Sequence, residues 1–188
     1  MFGSHKKQGT EVGLAVRNSF ASVSINTSLY NYGSGFKPTP EFFLEPYVLG
    51  YSLSLMNLFR SYMFKGSKWP TRKTGEFMIH AFIELQRDAN PLDMKNTINE
   101  AIVGLRGNED FEEGMNDADL NFCAVFDMIK STNSEPVVVE ARRQAEGLQK
   151  LSSELSSENN DPNAGFKMAI AQLTVKKRLE DLFPENPT

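Results

Sequence analysis

Glu76, His80 and Glu84 recur at intervals of four residues within EFMIHAFIE. On a helix, two successive steps of four align side chains along one face. A carboxylate–imidazole–carboxylate row has donor types that hold a divalent cation. Carboxylate-bridged metal bundles, however, set Glu-x-x-His on facing helices, and the chain has no second such cluster. The row therefore reads first as a solvated helix edge with an intrahelical Glu–His contact. A metal site at Glu76, His80 and Glu84 in a bundle-core enzyme is the weaker reading, because a ligand set on one helix rarely closes a coordination sphere.

A second concentration of chemistry is FKGSKWPTRKTG, where Lys65, Lys68, Arg72 and Lys73 surround the single tryptophan, Trp69. Cations neutralise phosphates and an indole stacks on a base, so these five residues make a candidate anion, nucleic-acid or partner site. Thr71 or Thr74 is placed to cap the helix that follows, whose first amides would add to an anion site. Four charges are few for nucleic-acid binding. Gly66 and Pro70 also suit a plain helix joint with solvated cations and Trp69 packed on the core.

The third is acidic. NEDFEEGMNDADLN carries Glu109, Asp110, Glu112, Glu113, Asp117 and Asp119, and no base occurs between Gly107 and Ile129. The order of acids is not that of a calcium-binding loop. The stretch reads as an acidic turn before a helix that starts near Asp117. The dipole of that helix start favours Asp117 and Asp119, yet six acids in eleven residues exceed what capping needs. A partner's basic surface is the natural complement. The chain's own 65–73 stretch is another, within the fold or between subunits.

Catalytic signatures are missing. There is no nucleophile elbow, phosphate-binding loop, Gly-rich dinucleotide turn or H-E-x-x-H. Cys123 lies in the apolar run NFCAVF, the setting of a buried inert thiol. Tyr30, Tyr32 and Phe36 flank the Gly-rich stretch YGSG, where aromatics either serve binding from a loop or fold down on the core.

The elements that must position these groups are helical. Residues 1–10 read as a flexible basic arm, and its GSH has the look of a tag remnant, so His5 carries no functional weight. Residues 11–30 follow helical spacing, with Ala21, Val23 and Ile25 also alternating as a strand would. Residues 31–40 form a loop. Pro46 opens a helix that carries no charge as far as Phe59. With no polar face it is a core helix, and 14 uncharged residues fall short of the roughly 20 that span a membrane. Gly50 and Ser54, one turn apart, mark a close helix approach.

Amphipathic segments follow over EFMIHAFIELQRDA, PLDMKNTINEAIVGLRG and DADLNFCAVFDMIK. Val138, Ala141, Ala145, Leu148, Ser152 and Leu155 make a heptad-like seam. Met168, Val175, Leu179 and Leu182 make a stripe on the last helix, with Phe166, Ile170 and Leu173 beside it.

The expected fold is thus all-α, a single irregular bundle of about seven helices. A core domain spans 11–130, and a C-terminal antiparallel hairpin, 131–183, packs on that core or on a second subunit, followed by a tail at 184–188. The 188 residues carry a net charge of −4 that hides a polarity. Residues 1–75 have nine basic and three acidic residues (+6), whereas 76–188 have eleven and twenty-one (−10). One cysteine excludes an intrachain disulfide, and with no signal-peptide pattern at the start the expected compartment is the cytoplasm.

The leading functional expectation is a non-enzymatic adaptor or regulator acting through protein–protein contacts, including homodimerisation through the hairpin. No cofactor is expected. The alternatives are the anion or nucleic-acid module at 65–73 and the metal-dependent enzyme.

Overall fold

The computed structural model describes residues 5–24, 27–31, 35–65, 71–85, 91–105, 107–155 and 163–185. The class is all-α, as the periodicities predict. The helices are α1 (His5–Val23), α2 (Pro46–Met63), α3 (Thr71–Leu85), α4 (Pro91–Gly104), α5 (Glu109–Val125), α6 (Pro136–Leu155), α7 (Ala164–Ala171) and α8 (Lys177–Leu182). The last two are joined by a π turn at Gln172–Lys176 into one kinked rod. Two-residue strands β1 (Tyr30–Asn31) and β2 (Gly35–Phe36) pair antiparallel.

α2 is the core. Glu45 caps it by accepting from the Val48 amide at 3.2 Å, Pro46 supplies a first-turn residue that needs no partner, and every side chain from Tyr47 to Met56 is buried. It packs along α5, and α1 packs along α3. Gly50 sits where a Cβ would overlap the Phe111 carbonyl, and Gly114 where it would overlap the Tyr47 carbonyl. The two glycines let the α2 and α5 backbones touch. The close approach expected at Gly50 and Ser54 is this crossing, and Ser54 serves it by donating to Asp119 Oδ1 at 2.5 Å.

Between the two helix pairs, Phe20, Phe36, Phe42 and Tyr51 form an aromatic cluster with ring centroids 5.2–6.1 Å apart. Arg17 of α1 ties its margin by donating to the carbonyls of Leu85 (2.9 Å) and Phe36 (3.1 Å). A smaller cluster of Ala124, Val138, Ala141, Ala169 and Ile170 joins α5, α6 and α7. Val138, Ala141 and Ala145 of the heptad-like seam are buried. The side chains from Leu148 to Leu155 lie outside the described residues.

Several expectations need correction. The arm read over 1–10 is helical from His5, with Gln8 and Gly9 buried and Gly9 set against α3. The helix read over 11–30 stops at Val23. Beyond it Thr27 pairs with Pro184, inside the segment read as a tail, and Ser28 donates to the Phe183 carbonyl at 3.1 Å. Of the two settings expected for Phe36 it takes the second, folded down and stacked in the core.

The stripe read through Met168 also fails, since Met168 is 67% exposed while Val175 and Leu179 are fully buried. The π turn, with Thr174 at φ −112° and ψ −106°, breaks the regular helical register, so the faces on its two sides are not continuous. No helix among the described residues is long and apolar enough to cross a membrane.

Candidate functional site

α5 carries the acidic segment, and its two sides have different environments. The N-cap Asn108 accepts from the Phe111 amide at 3.0 Å, and Glu109, Asp110 and Glu112 occupy the first turn, where the dipole favours them. On the inner side, the Tyr47 hydroxyl donates to Asp117 Oδ2 at 2.7 Å. Asn121 Nδ2 donates to the Asp117 carbonyl and to Thr174 Oγ1, both at 2.8 Å, and so holds the π turn against α5.

Arg178 of α8 pairs with Asp110, approaches Glu113 at 3.9 Å, and lies 5.6 Å from the Tyr47 ring. One guanidinium thus serves a half-buried neighbourhood of Glu45, Asp110, Glu113 and Asp117. Burial pushes the Asp117 carboxyl up to about 6, while the Tyr47 hydrogen bond pulls it down, Glu113 raises it and Arg178 lowers it. Burial likewise raises Glu45, against the pull of the Val48 and Tyr47 amides. Tyr47 is fully buried, so this constellation joins α2, α5 and α8 rather than presenting groups to a substrate.

The outer side of α5 borders an open cavity of about 760 Å³. Its far wall exists because α5 ends in a Schellman motif. The Met128 amide donates to the Cys123 carbonyl at 2.7 Å and the Asp127 amide to Ala124 at 3.2 Å, with Asp127 left-handed at φ 56°. Aspartate tolerates that conformation better than most side chains, and here Lys167 and Asn163 bind its carboxylate at 3.2 and 2.9 Å.

The chain then turns back over residues 128–135. Arg142 of α6 fixes this wall by donating to the carbonyls of Lys130 (2.9 Å) and Asn133 (2.7 Å). Leu120, Cys123, Met128 and Ile129 give the groove its apolar lining. Asn116, Asp119, Lys130 and Glu135 give it an exposed polar rim. Burial and the Asp119 charge push the Cys123 thiol up, so it is a poor nucleophile at neutral pH.

The other sequence candidates fall elsewhere. Lys68 and Trp69 lie outside the described residues, as does the side chain of Arg72. Lys65 rests over the Tyr62 ring at 5.1 Å, Lys73 is exposed on the first turn of α3, and Thr74 accepts from Arg60 at 3.4 Å. The described partners of the acidic segment are therefore Tyr47, Ser54 and Arg178.

Glu76, His80 and Glu84 are half-buried rather than a solvated edge. A Cβ at Gly9 of α1 would stand 2.9 Å from His80 Cβ, and one at Gly13 would stand 2.8 Å from Glu84 Cβ, so part of the row lines the α1–α3 contact. Among the described residues, no three His, Cys, Asp or Glu side chains converge as a metal-ligand set.

Sequence reasoning missed Arg178, Arg142 and the turn at Asp127. The first two are ordinary basic residues whose partners lie far off along the chain, and only the αL tolerance of aspartate hinted at the third. Comparison with protein-family models, with curated proteins and with solved structures finds no match to the chain.

Proposed function

We propose that this is a non-enzymatic protein that works by binding another protein, and that the groove between α5 and residues 128–135 is its contact surface. The observation that carries this reading is the cavity of about 760 Å³, open to solvent, with an apolar lining and a polar rim. Protein interfaces share this layout, with apolar anchors buried at the centre and a polar rim around them. Two features support it. The wall is held from outside by Arg142 and Asp127, so the surface is formed before a partner arrives. Met128 and Met115 remain 48% and 40% exposed beside the acidic face of α5, and methionine adapts to a partner's shape.

The test is a photo-crosslinking residue in place of Asn116, on the rim, compared with the same residue at the exposed Lys177 of α8. Irradiation in cells that make the protein should yield protein adducts of discrete mass from position 116 alone, lost again in Met128→Asp. Adducts at twice the chain mass would identify a homodimer through this face. Equal labelling from both positions, or none from 116, would overturn the reading.

A further inference from the structure

We infer that the groove accepts the apolar face of a basic amphipathic helix belonging to a different protein. The inference rests on the groove being the contact surface, and it adds the chemistry of the occupant.

It starts from what the six acids of α5 do. Asp110 is paired with Arg178, Glu113 shares that cation, Asp117 accepts from Tyr47 and Asp119 from Ser54. Glu109 and Glu112 are left, both exposed and neither in an ion pair among the described residues. With Asp110 answered by Arg178, the two charges of Glu109 and Glu112 still exceed the partial positive charge of roughly half a unit at a helix N-terminus. The surplus negative charge at this end of α5 faces solvent.

The surplus is continuous with the groove. Glu112, Asn116, Asp119 and Cys123 follow one another by steps of four, three and four, so they form one strip along the helix. The last three line the cavity, and Leu120, Met128 and Ile129 flank its apolar end. From Glu109 to Cys123 the strip is about 21 Å long, the length of a helix of about 14 residues. An occupant that fits it is amphipathic in two senses: apolar on the face that enters the groove, and cationic at the end lying over Glu109, Glu112 and Asp119. Glu135 on the far wall adds a further acid, and Lys130 is the one cation among the described residues that line the cavity.

Other occupants match less well. A purely apolar ligand would leave the acidic end unanswered, and a nucleic acid would meet its repulsion. Helix-in-groove recognition, with apolar anchors at i, i+3, i+4 and i+7, is the mode that uses both halves of the strip.

The test is fluorescence anisotropy on the full chain with a labelled synthetic helix of about 14 residues. Leucines stand at i, i+3, i+4 and i+7, and lysines occupy one end. Comparators are a scrambled peptide of the same composition and a version with glutamate for each lysine. The lysine peptide should bind at least about tenfold tighter than either, with affinity falling as salt rises. The double variant Glu109→Lys, Glu112→Lys should cancel most of that preference, and Met128→Asp should abolish binding. Circular dichroism then verifies that both variants are folded.

Equal binding of the scrambled peptide, or preference for the glutamate peptide, overturns the inference while leaving the groove as a surface. No binding of any peptide, with adducts from position 116 retained, also overturns it and spares the functional reading. Loss of both sinks the two together. Adducts from position 116 only to a second copy would make that copy the occupant and exclude a foreign helix.

Discussion

The Tyr47 hydroxyl donates to Oδ2 of Asp117 at 2.7 Å where Gly50 and Gly114 bring α2 and α5 into backbone contact. The bond spans 70 residues of sequence, and it places a carboxylate where water reaches it poorly. The result is a fold held by α5 on its inner side, at some electrostatic cost, while the outer side is left free for the groove.

That cost sets a pH dependence. Asp117 rises from its usual 3.8 to about 6, so the folded state holds the proton more tightly than the unfolded chain does. Its contribution to stability is then fully present below about pH 4 and lost as pH rises through about 6. Glu45 is also raised and acts with the same sign. Asp117→Asn keeps an acceptor for Tyr47 and removes the charge. Its melting temperature at about pH 7.5 should exceed that of the parent, and the fall between about pH 4 and 6 should flatten. A variant that melts lower at neutral pH, with the slope intact, would show that the carboxylate is not the cause.

The glycine crossing predicts opposite signs for one kind of substitution. Gly50→Ala sets a methyl against the Phe111 carbonyl, and a backbone atom in a packed helix cannot swing aside. A loss of about 3 kcal/mol is expected from denaturant titration. Gly147→Ala, at an exposed helical position with nothing within 4 Å of the added carbon, should instead gain about 0.5–1 kcal/mol. Equal effects at the two sites would exclude the contact as the explanation.

These elements were unequally legible in the sequence. Pro46 and the uncharged run to Phe59 announced a core helix, and Gly50 its close neighbour, because each effect acts through local chain chemistry. The start of α5 was not legible, because the acids after Asn108 read as a turn before a helix from Asp117, whereas the helix already begins at Glu109. Nor was the pairing of Arg178 with Asp110 and Glu113 legible. Arg178 lies in KKRLE beside Lys176 and Lys177, and nothing local separates the residue that reaches Asp110 from its neighbours, which carry the same charge. Met168 misled for a related reason. The stripe assumed an unbroken helix, and periodicity records neither the π turn nor the bond from Asn121 of α5 that meets it at Thr174.

Arg178→Met should expose how much depends on that one guanidinium. Its removal leaves Asp110 and Glu113 without their described partner and takes away a charge that lowers both Glu45 and Asp117. Stability at neutral pH should drop by about 1.5–3 kcal/mol, the usual worth of a hydrogen bond to a charged group. The fall in melting temperature between about pH 4 and 6 should steepen, since both carboxyls then hold their protons more tightly. An unchanged profile would mean that solvent, not Arg178, balances the cluster.

Arg142→Ala tests the groove wall without touching the groove lining. The side chain donates to the Lys130 and Asn133 carbonyls and stacks 5.9 Å from the Phe166 ring, so its loss frees the turn at 128–135 from α6. The turn keeps its Schellman bonds at Asp127 and Met128, which belong to α5. Hydrogen exchange should therefore quicken over residues 129–135 and stay slow through α5. Global stability should fall by about 1–2 kcal/mol for the two bonds. Arg143→Ala, which removes only the exposed contact to Glu140, is the matched control and should change neither quantity. Exchange that quickens equally along α5 would mean that Arg142 supports the whole domain, and the groove could not then be opened separately from the fold.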